Sequence, residues 1–268
     1  MAGYRIDKVH ALITGASSGL GVEFARQLAR RSVAMTLVAR REAELLQTRD
    51  LILGINPAVR VTICVADIAT DAGRAAVVSN VGLAESKVTV LINNAGLGDY
   101  GRFDKADPGK ISQQIDVNVT ALTLLTREII PVMARPGGIV NVSSLAGTLF
   151  MPELAVYAAT KAYVTSFSEA LSIELSPSGI SVTAVCPGPT PTNFSKTARR
   201  ENGEDTNRSG QGVLKQPPER VVRDALASLE AGRAVIYPGA PVALASWIFR
   251  VVPRFLLRLI MGRRMKST

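Results

Sequence analysis

Residues 9–28, VHALITGASSGLGVEFARQL, join an apolar, β-branched run to a helical pattern through a glycine-rich turn. Gly15, Gly19 and Gly21 are spaced G-x-x-x-G-x-G at this strand-to-helix junction. Glycine lets the backbone turn tightly and lets a phosphate approach the main chain, while unpaired N–H groups at the helix N-terminus hold the anion. A glycine cluster alone also occurs in ordinary turns. At the start of an α/β alternation, however, it predicts a phosphate-binding loop.

The alternation of strand and helix continues along the chain. Seven short apolar runs bounded by Gly, Pro, Asn or Asp are typical of strands buried on both faces. They span residues 9–14, 33–39, 59–66, 88–93, 138–143, 180–186 and 234–237. Helical patterns fill the gaps, as at 20–31, 110–134 and 153–175. The sequence therefore predicts an α/β fold with a single doubly wound, Rossmann-type parallel sheet of about seven strands and helices on both faces.

Length and composition agree with one folded α/β domain followed by a tail. The chain has 268 residues, 47% hydrophobic and 20% charged, as in globular proteins. We predict a dinucleotide-binding catalytic domain at 1–240, with a substrate lid region at 192–219, and a basic amphipathic tail at 241–268. The polar stretch 192–219 is long for a connection, and such stretches are usually lids or disordered segments.

Few residues are available for metal binding or disulfide formation. Cys64 and Cys186 each lie in an apolar run, and His10 is the only histidine. They cannot form a metal-ligand cluster, so no metal site is predicted, and buried thiols indicate a reducing cytoplasm. The charged N-terminus lacks the apolar stretch of a signal peptide. The longest uncharged run, 234–249, contains prolines and is shorter than the roughly 20 residues of a membrane span.

The net charge of +9 raises the question of a polyanionic partner. We predict no nucleic acid as a partner, because the chain has no recognised binding motif and no interleaving of basic and aromatic residues. Arg40 and Arg41 follow the second predicted strand, where an NAD-type site would carry an acidic residue. A guanidinium suits the 2′-phosphate of NADP, although two arginines also fit a solvated helix start. Together with the glycine motif they predict NADP(H) rather than NAD(H).

Tyr157 and Lys161 are the candidate proton-transfer pair. They stand at positions i and i+4 of a predicted helix and therefore share one face. A nearby ammonium stabilises a phenolate and lowers the phenol pKa from its usual value of about 10. An isolated Y-x-x-x-K is usually an ordinary amphipathic pair. The assignment therefore depends on the motifs around it.

Those motifs resemble the short-chain dehydrogenase/reductase family, in its form of about 250 residues. They occur in the family's order between residues 9 and 192: TGASSGLG (14–21), NNAG (93–96), DVNV (116–119), VNVSSLAG (140–147), YAATK (157–161) and CPGPTPT (186–192). The resemblance implies that Tyr157 is the general acid or base, that Lys161 tunes it and holds the nicotinamide ribose, and that Ser144 binds the substrate oxygen. Asn118 would support a proton relay to the lysine. Ser143 is the neighbour most easily confused with Ser144.

The resemblance also implies the cofactor contacts. Asp67 would contact the adenine, NNAG would line the adenosine ribose, and Pro187-Gly188 would lie under the nicotinamide. The family often continues x-V-x-T, whereas here Pro189 and Pro191 flank Thr190 and remove backbone donors. The predicted cofactor residues are Gly15, Ser17, Ser18, Gly19, Leu20, Gly21, Arg40, Arg41, Asp67, Ile68, Asn94, Ala95, Gly96, Tyr157, Lys161, Pro187, Gly188, Thr190 and Thr192.

The substrate end is predicted to be apolar, which favours a hydrophobic ketone, alcohol or 3-oxoacyl chain over a sugar. The predicted lining residues are Leu97, Leu145, Phe150, Met151 and Phe194, each of which could instead be core. In the tail, arginines recur at 250, 254 and 258 beside aromatic and aliphatic residues, with a kink expected at Pro253. Such a tail can cover the cleft, pack on a second subunit, or lie in a membrane interface; we favour the first two.

The sequence thus predicts an NADP(H)-dependent oxidoreductase that interconverts a carbonyl and an alcohol, as a homodimer or homotetramer in the cytoplasm. Peripheral membrane contact through the tail stays open. The alternative is a dinucleotide-binding regulatory protein on the same scaffold, because a fold alone does not guarantee turnover. The complete set of Asn118, Ser144, Tyr157 and Lys161 favours the enzyme.

Overall fold

A computed structural model of the chain describes residues 4–198, 200 and 211–266. The strands are Val9–Thr14 (β1), Ser32–Ala39 (β2), Arg60–Val65 (β3), Val90–Asn93 (β4), Gly137–Val142 (β5), Ile180–Val185 (β6) and Val235–Ile236 (β7). The helices are Gly19–Leu28 (α1), Glu42–Ile55 (α2), Asp71–Gly82 (α3), Pro108–Ile115 (α4), Leu122–Ile129 (α5), Ala155–Leu175 (α6), Phe194–Thr197 (α7), Gln211–Leu214 (α8), Pro218–Glu230 (α9), Ala240–Val251 (α10) and Arg254–Lys266 (α11). All seven predicted strands are present.

The strands form one parallel sheet in the order β3-β2-β1-β4-β5-β6-β7. β1 pairs with β2 on one side and with β4 on the other. The chain builds the sheet outward from β1 to β3 and then from β4 to β7 on the other side, so the topological switch point lies between β1 and β4. Side chains of β1, β4 and β5 are buried throughout, which explains their continuous apolar runs. Ligands of such sheets bind at the carboxyl ends of the strands beside this switch point.

Two hydrophobic layers hold helices against the two faces of the sheet. On one face, Phe24 and Leu28 of α1 pack with Leu45 of α2 and Leu229 of α9. On the other face, the layer includes Val77 of α3, Leu125 and Ile129 of α5, and Leu171 of α6. The prediction of a doubly wound α/β fold is therefore confirmed.

The helix predicted over 110–134 is present as one helical run from Pro108 to Val132, with a π-helical turn inside it. α4 ends at Ile115, a π-helical turn occupies Asp116–Ala121, and α5 follows. A π turn adds a residue to the helical turn and is frequent at functional sites. Here it contains Asn118, which is 1% exposed.

The tail forms two helices that meet at a sharp bend. α10 ends before Pro253, and the axes of α10 and α11 differ by 112°, as the predicted proline kink requires. Within the described residues, no single helix has the length and hydropathy of a membrane span. The bent pair of α10 and α11 reaches that length and hydropathy only when the two helices are taken together. The predicted lid region contains α7 and α8; residues 199 and 201–210 lie outside the described part of the chain.

Candidate active site

A cleft of about 690 Å³ lies at the carboxyl ends of the strands, beside the switch point. It is lined by nearly all of the predicted site residues: Gly15, Ser17, Ser18, Gly19, Leu20, Arg40, Arg41, Asp67, Ile68, Asn94, Ala95, Gly96, Ser144, Tyr157, Lys161, Pro187, Gly188, Thr190 and Thr192. Of the predicted site residues, all within the described part of the chain, Gly21 and Asn118 stand outside this lining. The structure thus brings motifs far apart in sequence to one continuous wall.

The glycine loop forms the floor at one end of the cleft. Gly15 and Gly19 have φ of +65° and +55°, which side chains rarely adopt. Asn94 fastens the loop, because its Nδ2 donates to the carbonyls of Thr14 and Gly15 at 3.0 and 3.2 Å. Gly21 is required for packing, since a Cβ there would lie 2.2 Å from the Gly15 oxygen. The cradle and the start of α1 fit the pyrophosphate of a dinucleotide.

Positive charge lies at the same end of the cleft. Arg41 Nη2 donates to Ser17 Oγ at 3.2 Å, and its Nη1 lies 3.0 Å from Glu44 Oε1. Arg40 Nη1 is 3.9 Å from Asp67 Oδ2. Both arginine side chains are 53% exposed. The Ser17 hydroxyl and the Arg41 guanidinium therefore flank a position that suits a phosphate monoester, and Arg40 lines the same cleft.

Ser144 and Tyr157 meet at the other end of the cleft. Ser144 follows β5, and its Oγ accepts a hydrogen bond from the Ala146 N–H at 3.1 Å. Its side chain also lies close enough to the Tyr157 phenol to lower the pKa of that phenol. Ser143, by contrast, donates from Oγ to the Lys161 carbonyl at 2.7 Å and is buried against α6. The geometry thus distinguishes the two serines: Ser144 contacts the phenol, and Ser143 fastens the helix.

Burial controls the proton affinities of this pair. Lys161 is 3% exposed, its Nζ donates to the Val142 carbonyl at 2.8 Å, and desolvation lowers its pKa from 10.5 to about 8. Its Nζ lies 5.7 Å from the centre of the Tyr157 ring. Desolvation also raises the pKa of Tyr157 above its usual value, and the Ser144 side chain only partly opposes this. The predicted lowering of the phenol pKa is therefore wrong for this structure.

Asn118 supports the wall from behind. Its Oδ1 accepts from the Leu97 N–H at 2.8 Å, and its Nδ2 donates to the Leu97 carbonyl at 2.9 Å and to Thr160 Oγ1 at 3.0 Å. A Cβ on Gly96 would lie 3.4 Å from both Asn118 Oδ1 and Lys161 Nζ. Asn118 therefore holds the NNAG segment against α6, next to the lysine.

The substrate end is mainly apolar. Leu97, Leu145, Met151 and Phe194 line it as predicted, and the Phe194 ring lies 5.5 Å from the Tyr157 ring. Phe150 is absent from the described lining and instead packs under the Arg254 guanidinium at 5.9 Å. Sequence reasoning missed the further lining residues Tyr100, Leu149, Leu154, Leu214, Phe249 and Met261. Phe249 and Met261 belong to the tail, and the apolar periodicity of the tail is the sequence feature that could have indicated them.

Comparisons with known proteins identify the family of the chain. A family model described as short chain dehydrogenase matches residues 9–203. Oxidoreductase UcpA of Escherichia coli (strain K12) is 33% identical over 221 residues, which cover 81% of this chain and 82% of the relative. The very-long-chain 3-oxoacyl-CoA reductase of Anas platyrhynchos is 30% identical over 254 residues, 91% of this chain and 75% of the relative. A short-chain dehydrogenase from Sphingobium yanoikuyae in complex with NADPH has a TM-score of 0.74 at 29% identity, covering 97% of this chain and 94% of the other. The chain therefore belongs to the short-chain dehydrogenase/reductase family and is an oxidoreductase that acts on carbonyl and alcohol groups with a dinucleotide cofactor.

Proposed function

We propose that this protein uses NADP(H) to interconvert a carbonyl and an alcohol on a hydrophobic substrate. The observation that carries the proposal is that Ser144, Tyr157 and Lys161 line the cleft that also contains the glycine loop. Neither half would suffice, because a glycine loop alone only binds a nucleotide. Their common cleft gives a nucleotide and a carbonyl adjoining positions.

The cofactor would be held by the glycine loop, by Arg40 and Arg41 at the adenosine end, and by Lys161 at the nicotinamide ribose. When bound, it supplies the hydride. In reduction, Ser144 holds the substrate oxygen by a hydrogen bond, and the Tyr157 phenol donates its proton to that oxygen as negative charge develops there. The Lys161 ammonium then stabilises the phenolate. Asn118 keeps the NNAG backbone in place beside the lysine.

The preference for NADP(H) rests on charge near Ser17. Arg41 reaches the Ser17 hydroxyl, and Arg40 lines the same cleft beside Asp67, so a 2′-phosphate would meet the Arg41 guanidinium with a second positive charge nearby. An NAD-type site would instead place a carboxylate near the ribose hydroxyls. The structural relative from Sphingobium yanoikuyae was solved with NADPH, whereas a 3-ketoacyl-(acyl-carrier-protein) reductase from Brucella melitensis was solved with NADH, so the proposed preference rests on the arginines of this chain.

The apolar lining supports a bulky hydrophobic substrate, such as a ketone or a 3-oxoacyl thioester. The relative named very-long-chain 3-oxoacyl-CoA reductase is consistent with this class. We also propose a homodimer or homotetramer in the cytoplasm, the assembly and location that the sequence predicts. Size-exclusion chromatography with light scattering measures the assembly directly.

The test is a panel of ketones and 3-oxoacyl thioesters of increasing chain length, followed by the absorbance of NADPH and NADH. We expect turnover with NADPH that improves with chain length and falls by several orders of magnitude in Tyr157→Phe. Tyr163→Phe is the matched control, because Tyr163 lies in the same helix, with its hydroxyl bonded to Thr123. Near-normal reduction by Tyr157→Phe would refute the mechanism. Tight NADPH binding without turnover across the panel would favour the regulatory alternative.

A further inference from the structure

The outer sides of α10 and α11 each carry a stripe of exposed apolar side chains. On α10, Leu244, Trp247, Ile248 and Val251 are exposed at i, i+3, i+4 and i+7, which places them on one helix face. On α11, Phe255, Leu256, Leu259 and Ile260 form a second exposed stripe. We call these eight side chains the tail face. Trp247 is 60% exposed and Phe255 68%, and exposed apolar stripes of this kind mark an interaction site.

The charge around the tail face has one sign. From residue 240 to the end of the chain the sequence has six basic residues and no acidic one, against 25 basic and 22 acidic residues before it. The tail therefore carries +6 of the net +9. Arg254 and Arg258 lie about one helical turn apart on α11. They directly precede Phe255 and Leu259 in the sequence. An apolar stripe bordered by arginine complements an anionic lipid surface.

We propose that the tail face docks on an anionic lipid bilayer and that the substrate end of the cleft opens at the membrane surface. The bilayer would receive the apolar side chains, and the arginines would contact lipid phosphates. The tryptophan suits this position, because its ring is apolar and its N–H finds a partner at the headgroups. A helix pair lying in the interface needs no membrane-spanning length.

A second copy of the chain fits this face less well. A symmetric dimer brings the same patch of both subunits together. Two tail faces in contact would bring together two tails that each carry a charge of +6 and no acidic residue, and like charges across an interface cost several kcal/mol. Anionic headgroups remove this repulsion.

The other sides of the same helices line the cleft. Phe249 of α10 and Met261 of α11 contribute to its wall, while Val242 and Leu257 are buried beneath the helices. The helix pair thus lies between the cleft and the proposed bilayer, and the cleft would open to the membrane surface between the two helices. A lipid-soluble carbonyl compound would enter between α10 and α11 without crossing water. This access route rests on the proposed function, whereas docking itself does not.

The experiment uses the full chain and its single tryptophan. Vesicles of phosphatidylcholine, with or without phosphatidylglycerol, are titrated while Trp247 emission is recorded, and binding is confirmed by co-sedimentation. We expect a blue shift and pelleting with the anionic vesicles, weakened by high salt because screening reduces the attraction. Phe255→Glu should weaken binding about tenfold or more, and Arg258→Gln about fivefold.

Leu83→Glu is the matched control, because Leu83 is an 84% exposed leucine outside the tail and should leave binding unchanged. Circular dichroism and NADPH binding show that each variant is folded. Equal affinity for neutral and anionic vesicles, or an unchanged affinity in Phe255→Glu, would overturn the proposal. Loss of the oligomer in Phe255→Glu without vesicle binding by the parent would assign the face to a second subunit. Vesicle binding without carbonyl reduction would separate failure of the proposed function from failure of docking.

Discussion

Arg41→Ala is expected to weaken NADPH selectively and to leave NADH nearly unaffected. Arg41 Nη2 is 3.2 Å from Ser17 Oγ, at the position proposed for the 2′-phosphate. A hydrogen bond to a charged partner contributes about 1.5–3 kcal/mol. Because the side chain is 53% exposed and also faces Glu44, solvent screening reduces this to about 1–2 kcal/mol. We therefore expect the KM for NADPH to rise about 5- to 30-fold.

Steady-state reduction of one ketone with each cofactor measures the effect. The kcat should change little, since Arg41 lies far along the cleft from Tyr157, and the KM for NADH should stay within about twofold. Arg49→Ala is the control: Arg49 lies in the same helix, α2, and pairs with Asp50 at 2.8 Å. An equal rise in both KM values, or no rise for NADPH, would refute the assignment of Arg41 to the 2′-phosphate.

Three further predictions follow from packing and burial. Gly21→Ala should destabilise the fold by about 1–3 kcal/mol, because the new Cβ would lie 2.2 Å from the Gly15 carbonyl oxygen. Thermal unfolding measures the effect, and Gly54→Ala is the control because the space around Gly54 is open. Burial lowers the pKa of His10. The unfolded chain therefore binds a proton at His10 more readily than the folded chain, and the free energy of unfolding should fall as pH drops below about 6.5. His10→Gln should weaken this pH dependence in thermal melts at several pH values. Asp99→Asn removes the carboxylate paired with the Arg200 side chain, which is 8% exposed, and should lower the melting temperature; an unchanged melting temperature would contradict a stabilising role for this pair.

The strands could be predicted because they are buried on both faces. The β1 strand predicted at 9–14 is observed there, and Val235–Ile236 of β7 lies inside the predicted 234–237. The π-helical turn inside 110–134 could not be predicted in the same way. Hydrophobic periodicity continues through a π turn, and the contact between Asn118 and the Leu97 backbone joins segments 21 residues apart. Only the folded chain reveals it.

The site could be predicted in its motifs but not in its electrostatics. The glycine loop, Ser144, Tyr157 and Lys161 line one cleft because each follows the carboxyl end of a strand or starts a helix there. The direction of the Tyr157 pKa shift was missed, since it depends on side chains that pack around the phenol from distant segments. Phe249 and Met261 were missed as lining residues for the same reason.

The two pKa shifts have one cause and complementary effects. Desolvation raises the pKa of the Tyr157 phenol, so the phenol keeps its proton at neutral pH. Desolvation lowers the pKa of Lys161 only to about 8, so the lysine is still mainly a cation at pH 7. The site at neutral pH therefore holds a protonated phenol with a cation 5.7 Å from its ring. That is the state required to give a proton to a carbonyl oxygen, and the low dielectric that produces both shifts also strengthens the attraction between the ammonium and the phenolate left behind. Burial thus makes Tyr157 an acid suited to reduction and Lys161 the charge that offsets the cost of its deprotonation.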